Sequence, residues 1–250
     1  MRPLAALALV AATACQRGAP EEVVVFAASS LREAFTALAP IFEAEHPGVA
    51  VRLSFAGSQD VRTQIAQGAP ADVFASADAL HMAALGSLGR VGRPETFARN
   101  EPVIAVAREF GGGITSLADL PRAERLVIGG PGVPIGRYTI QILDRASRTD
   151  PTFRARVEAR VVSRELNVRQ VLAKVSLGEA DAAIVYRSDV IAAGDRVNVV
   201  SIPATLNVVA KYPIAVVADA PHPALARAWV DLVLSPRGQA VLRDAGFDAP

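Results

Sequence analysis

VVVFAASSLREAFTALAPIFEAEH, residues 23–46, joins an apolar run, a short polar turn and a helical repeat in immediate succession. Val23 to Ala28 carries β-branched and aromatic side chains with no polar break, as a strand covered on both faces does. Leu31, Phe35, Leu38, Ile41 and Phe42 then fall at helical spacing, and Pro47-Gly48 closes the segment. The unit is strand, turn, helix.

The same unit recurs along the chain. Further apolar runs are VAVRLSFA (49–56), ADVFASA (71–77), VIAVA (103–107), LVIGG (126–130), AAIVY (182–186), VNVVSI (197–202) and PIAVVA (213–218). Helical periodicity predicts helices over 60–67, 79–88, 136–147, 168–177, 222–234 and 236–244, with Trp229 on the packed face of its helix. Short Val- and Ile-rich runs alternating with helices predict an α/β architecture with largely parallel sheets. Passages around Asn100–Pro102 and Pro203–Tyr212 are candidate crossings between two lobes. The expected division is residues 22–99 with 206–250 in lobe 1 and residues 100–205 in lobe 2.

The whole chain of 250 residues is 51% hydrophobic and 20% charged, enough apolar material for a sizeable core. Its 26 Lys and Arg balance 25 Asp and Glu, so it lacks the single-sign field that nucleic acid or an anionic membrane demands. Residues 1–14, MRPLAALALVAATA, have the shape of a signal peptide: one Arg, then an apolar run too short to span a bilayer. Cys15, the only cysteine, follows directly and excludes an intrachain disulfide. Its setting resembles a bacterial lipoprotein signal, in which Cys15 is acylated and becomes the mature terminus, although Ala12 stands where that pattern has Leu. The alternative is cleavage after Ala14, leaving a free thiol. Either way the protein is expected to be exported, and residues 15–21 form a flexible linker.

The chemistry is expected before the helices. Ala27-Ala28-Ser29-Ser30, Ala56-Gly57-Ser58, GGPGVPIG (129–136) and Glu165-Leu166-Asn167 each lead from a strand into a helix. A helix N-terminus exposes unpaired N–H groups and partial positive charge, so several converging on one cleft make a site for a small anion. Ser30 and Ser58 can add hydroxyl donors. The plainer alternative makes Ser30, Ser58 and Asn167 ordinary N-caps. The glycine-rich loop fits neither G-x-x-x-x-G-K-[ST] nor G-x-G-x-x-G, which argues against nucleotide binding. His46, His81 and His222 stand far apart with no ligand at metal spacing, no G-x-S-x-G sequence exists, and Arg32 and Arg137 are expected to face solvent.

VFAASSL (25–31), QIAQGAPADVFASAD (64–78), VPIGRY (133–138), NVRQVLAKVSLGEADAAIVYRSD (167–189) and LSPRGQAVL (234–242) together resemble the periplasmic molybdate-binding protein family, in order and spacing. The resemblance implies a type II periplasmic-binding-protein fold with the ligand, molybdate or tungstate, between two α/β lobes. It implies donors from Ser30 and Ser58 in lobe 1, and in lobe 2 from the backbone N–H groups of Ile135 and Val168 and the phenol of Tyr186. Ile135 stands where members often have Ala, which keeps the backbone donor and alters pocket size. Tyr186 as a core tyrosine is the competing assignment.

The implied role is capture without catalysis or cofactor, in the periplasm or another extracytoplasmic space. The partner is the membrane permease of an ABC importer, and the protein is expected to act as a monomer. Another tetrahedral anion such as sulfate or phosphate is the alternative ligand, with Asp60 a possible acceptor for a protonated phosphate, though it is read as helix N-terminal charge. An anion-sensing ectodomain is the alternative role; it would be expected to continue into a membrane helix, and none follows before Pro250.

Overall fold

The computed structural model describes residues 21–250; the expected signal peptide and Cys15 lie outside the described residues. In chain order the first part contains β1 (Glu21–Ala28), α1 (Arg32–Glu45), β2 (Val49–Ala56), α2 (Ser58–Ala66), β3 (Val73–Ala75), α3 (Ala79–Ser87) and β4 (Glu95–Asn100). Next come β5 (Pro102–Ala107), β6 (Leu126–Gly129), α4 (Pro134–Ser147), α5 (Phe153–Glu158), β7 (Val161–Glu165), α6 (Val168–Ser176), β8 (Ala182–Tyr186), α7 (Arg187–Ala193) and β9 (Val197–Val200). The chain ends with β10 (Ala210–Val216), α8 (Pro223–Leu234) and α9 (Pro236–Asp244).

Two five-stranded sheets result, ordered β2-β1-β3-β10-β4 and β7-β6-β8-β5-β9. The chain passes from the first sheet to the second between β4 and β5 and returns between β9 and β10. The architecture is the α/β one that the sequence predicts, with one correction: the sheets are mixed rather than largely parallel. β1 runs parallel to β2 and β3, and β6 to β7 and β8. β10 is antiparallel to β3 and β4, and β5 to β8 and β9. Every residue of β5 is buried. A continuous apolar run reports cover on both faces, and a buried antiparallel strand has that cover as fully as a parallel one.

Strands β4 and β7 and helices α5 and α7 have no predicted counterpart. ETFARN and VVSRE are edge strands, partly exposed and carrying charge, so neither shows an apolar run. The two helices have six and seven residues, too few to establish a period. Trp229 is fully buried as expected, its ring packed edge-on against Phe35 and Phe42 with centroids 5.5 Å away in each case. These aromatics fasten α1 to α8 and so hold the first strand-turn-helix unit in place.

Candidate anion-binding site

Between the sheets lies a small cavity bordered by four helix starts, those of the 3-10 turn Ser29–Leu31 that leads into α1, and of α2, α4 and α6. It brings together all five sequence-predicted residues, Ser30, Ser58, Ile135, Val168 and Tyr186, and Ser29 borders it as well. The space open to a water-sized sphere is about 10 Å³, close to that of one water molecule. A sugar, amino acid or peptide has no room unless the sheets part.

The local reasons for this convergence are visible residue by residue. Pro134 occupies the first position of α4, where a missing N–H costs nothing, so Ile135 supplies that helix's first amide donor. A Cβ on Gly136 would collide with the carbonyls of Gly129 and Gly130; glycine there lets the start of α4 lie directly against the end of β6. Asn167 is a true N-cap: its Oδ1 accepts from the Gln170 amide at 3.1 Å, leaving the Val168 amide uncapped at the helix start.

Ser30 and Ser58 are not caps. Ser58 is the first residue of α2 rather than its N-cap, and its Oγ accepts a 3.1 Å hydrogen bond from the Ala77 amide. With an acceptor site filled, its own O–H is free to donate. Ser30 Oγ lies 2.9 Å from Tyr212 Oη in a buried pair. Tyr186 is 1% exposed, and its Oη has no hydrogen-bond partner among the described residues. An unpaired buried hydroxyl costs free energy, and Tyr186 lines the cavity. Burial pushes the Tyr186 phenol well above its ordinary pKa, with the nearby Tyr212 adding to the rise, so it stays protonated.

No charged side chain lines the cavity among the described residues. The site is a neutral cup of N–H and O–H donors at the positive ends of helix dipoles, which suits an ion that presents only acceptors. Charged and polar side chains stand one layer back and tie the two sides together. Arg137 Nη2 donates to Asp78 Oδ2 at 2.8 Å, and Arg169 Nη2 to Glu33 Oε1 at 2.5 Å. His81 Nε2 donates to the Gly132 carbonyl at 2.9 Å, and Gln59 Nε2 to the Leu166 carbonyl at 2.6 Å. Arg137 therefore faces a buried carboxylate rather than solvent, correcting the expectation for it; Arg32 lies over the Phe55 ring at 4.6 Å. Cross-chain pairs of this kind have no local sequence signal.

Asp189 is a further residue that the sequence left unassigned. Its Oδ2 accepts from the Tyr186 amide at 3.1 Å, its Oδ1 is buried without a hydrogen-bond partner, and the Arg169 guanidinium is 3.9 Å away. Burial raises its carboxyl to about 7, against the opposing pull of Arg169.

The sequence profile of the bacterial extracellular solute-binding proteins matches residues 23–248. A relative in Mycobacterium tuberculosis, the molybdate-binding protein ModA, is 41% identical over 91% of this chain and 85% of its own length. Among solved structures, the periplasmic molybdate-binding protein of Azotobacter vinelandii superposes with a TM-score of 0.79 at 23% identity, covering 91% of this chain and 99% of the other. The sulfate-binding protein SubI of Mycobacterium tuberculosis superposes with a TM-score of 0.81 at 21% identity, covering 92% and 87%. The backbone arrangement is thus common to proteins named for different tetrahedral anions.

Proposed function

The chain belongs to the bacterial extracellular solute-binding proteins and, within them, to the periplasmic molybdate-binding family, and from that premise we propose that it captures molybdate or tungstate for an ABC importer. The observation that carries the reading is the unpartnered, buried hydroxyl of Tyr186, a residue that lines a cup of neutral donors. A metal oxyanion dianion has only acceptor oxygens, and each donor bonds to one without needing a counter-charge. Ser30 and Ser58 donate from one side; the amides of Ile135 and Val168 and the phenol of Tyr186 donate from the other.

In this reading lobe 1 comprises residues 22–99 and 206–250, lobe 2 comprises residues 100–205, and closure buries one ion before the protein docks on its permease. No bond in the ligand is broken. The protein works as an extracytoplasmic monomer, tethered by lipid on Cys15; Cys15→Ser moves it from membranes to the soluble fraction, and unchanged fractionation rejects the anchor. The ligand assignment is tested by a thermal-shift screen over molybdate, tungstate, sulfate, phosphate and chromate. Ligand at a hundredfold excess over its Kd stabilises the folded state by about 2.7 kcal/mol. Molybdate and tungstate raise the Tm and sulfate does not; equal shifts with sulfate, or none with the metal oxyanions, reject the assignment.

A further inference from the structure

Tyr212 packs against two residues of the donor cup without lining the cavity itself. It lies on β10, the strand that returns to the first sheet, and is fully buried. Its hydroxyl is 2.9 Å from Ser30 Oγ, and its ring meets the Tyr186 ring edge-on at 5.9 Å. One side chain thus touches a proposed ligand donor from each side of the cleft.

From this geometry we infer that Tyr212 is a positioning residue for anion capture, its hydroxyl donating to Ser30 Oγ so that the Ser30 proton points at the ligand. The inference rests on the oxyanion reading above. Two hydroxyls at hydrogen-bond distance share one proton between them, and either can be the donor. The ligand decides which. If Ser30 gives its proton to Tyr212, its oxygen turns only lone pairs toward a dianion and repels it. If Tyr212 donates, Ser30 donates onward, and a hydrogen bond received strengthens the one given. A phenol is the stronger donor of the two, and burial keeps this one protonated by pushing its pKa well above the ordinary value, with the Asp189 carboxylate adding to the rise. The ring serves Tyr186 and the hydroxyl serves Ser30, so Tyr212→Phe removes one service and keeps the other.

The test is a double-mutant cycle on the full chain with sodium molybdate as titrant, comparing wild type, Tyr212→Phe, Ser30→Ala and the double variant by calorimetry. Tyr212→Phe alone is expected to weaken binding roughly two- to tenfold, the range of a net hydrogen bond. In the Ser30→Ala background the same change should have almost no effect, because the hydroxyl through which it acts is gone. Equal losses in both backgrounds make Tyr212 a packing residue and overturn the inference while leaving the oxyanion reading intact. A wild type that ignores molybdate overturns that reading and this inference with it. Should Tyr212→Phe fail to fold, proton NMR of the wild type serves instead: the Tyr212 hydroxyl resonance moves downfield on adding molybdate, and an unmoved resonance overturns the inference.

Discussion

The two sides of the cleft hold their donors differently. On the first side the donors include serine hydroxyls that are already engaged: Ser58 accepts from the Ala77 amide, and Ser30 pairs with Tyr212. On the second side they are backbone amides at the starts of α4 and α6, plus a phenol with no partner among the described residues. The first side is preorganised by its own hydrogen bonds. The second holds a buried hydroxyl with no partner among the described residues, so under the proposed function binding energy is expected to concentrate there.

That contrast breaks most directly at Tyr186. Tyr186→Phe should lower molybdate affinity roughly ten- to 150-fold, the loss of one hydrogen bond to a charged group. The same change should leave the free protein as stable or more so, because it deletes an unsatisfied buried hydroxyl. Calorimetry with thermal melts reads both signs, and a destabilised free protein with unchanged affinity makes Tyr186 a core residue.

Ser58→Ala should show the opposite pairing. It removes a donor and also orphans the Ala77 amide, so affinity falls roughly tenfold and the free protein loses about 1–3 kcal/mol. A loss of stability without a loss of affinity refutes the ligand role.

The backbone donors yield to Val168→Pro. The first position of a helix tolerates proline, and Asn167 already has the extended backbone that a following proline prefers. The fold should survive while one amide vanishes, weakening binding roughly threefold to tenfold, since the helix dipole remains. Ile135→Ala is the counterpart: its amide stays, so affinity should change less than about threefold, while deletion from a fully buried site costs about 2–5 kcal/mol.

The last expected effect is on pH dependence. The Asp189 carboxyl is raised from 3.8 to about 7 in the folded protein. A carboxyl raised by folding contributes stability below its unfolded pKa that is lost as pH climbs through the folded one. Stability should therefore decline from about pH 4 to about pH 7 on its account, and Asp189→Asn should flatten that decline in denaturant titrations. An unchanged slope places the charged form in a better-compensated setting than its orphaned Oδ1 indicates.

Much of this was legible in the chain. Strands with unbroken apolar runs, such as β5 and β8, and helices with clear periods, such as α1 and α6, stand where the residues predict them because burial and period leave a direct mark on composition. Edge strands β4 and β7 left none, since exposure on an edge permits charge. The four strand-to-helix turns were also legible, because glycine, serine and asparagine at those points answer local backbone demands. What the sequence determined by itself is therefore local: where chain segments turn, which faces seek cover, and which residues stand at helix starts. Only the tertiary structure decided that four helix starts converge on one cavity, that Tyr212 backs Ser30 and that Asp78 receives Arg137. Those contacts join residues far apart in the chain, and their energy depends on distance in space, which no local pattern of residues encodes.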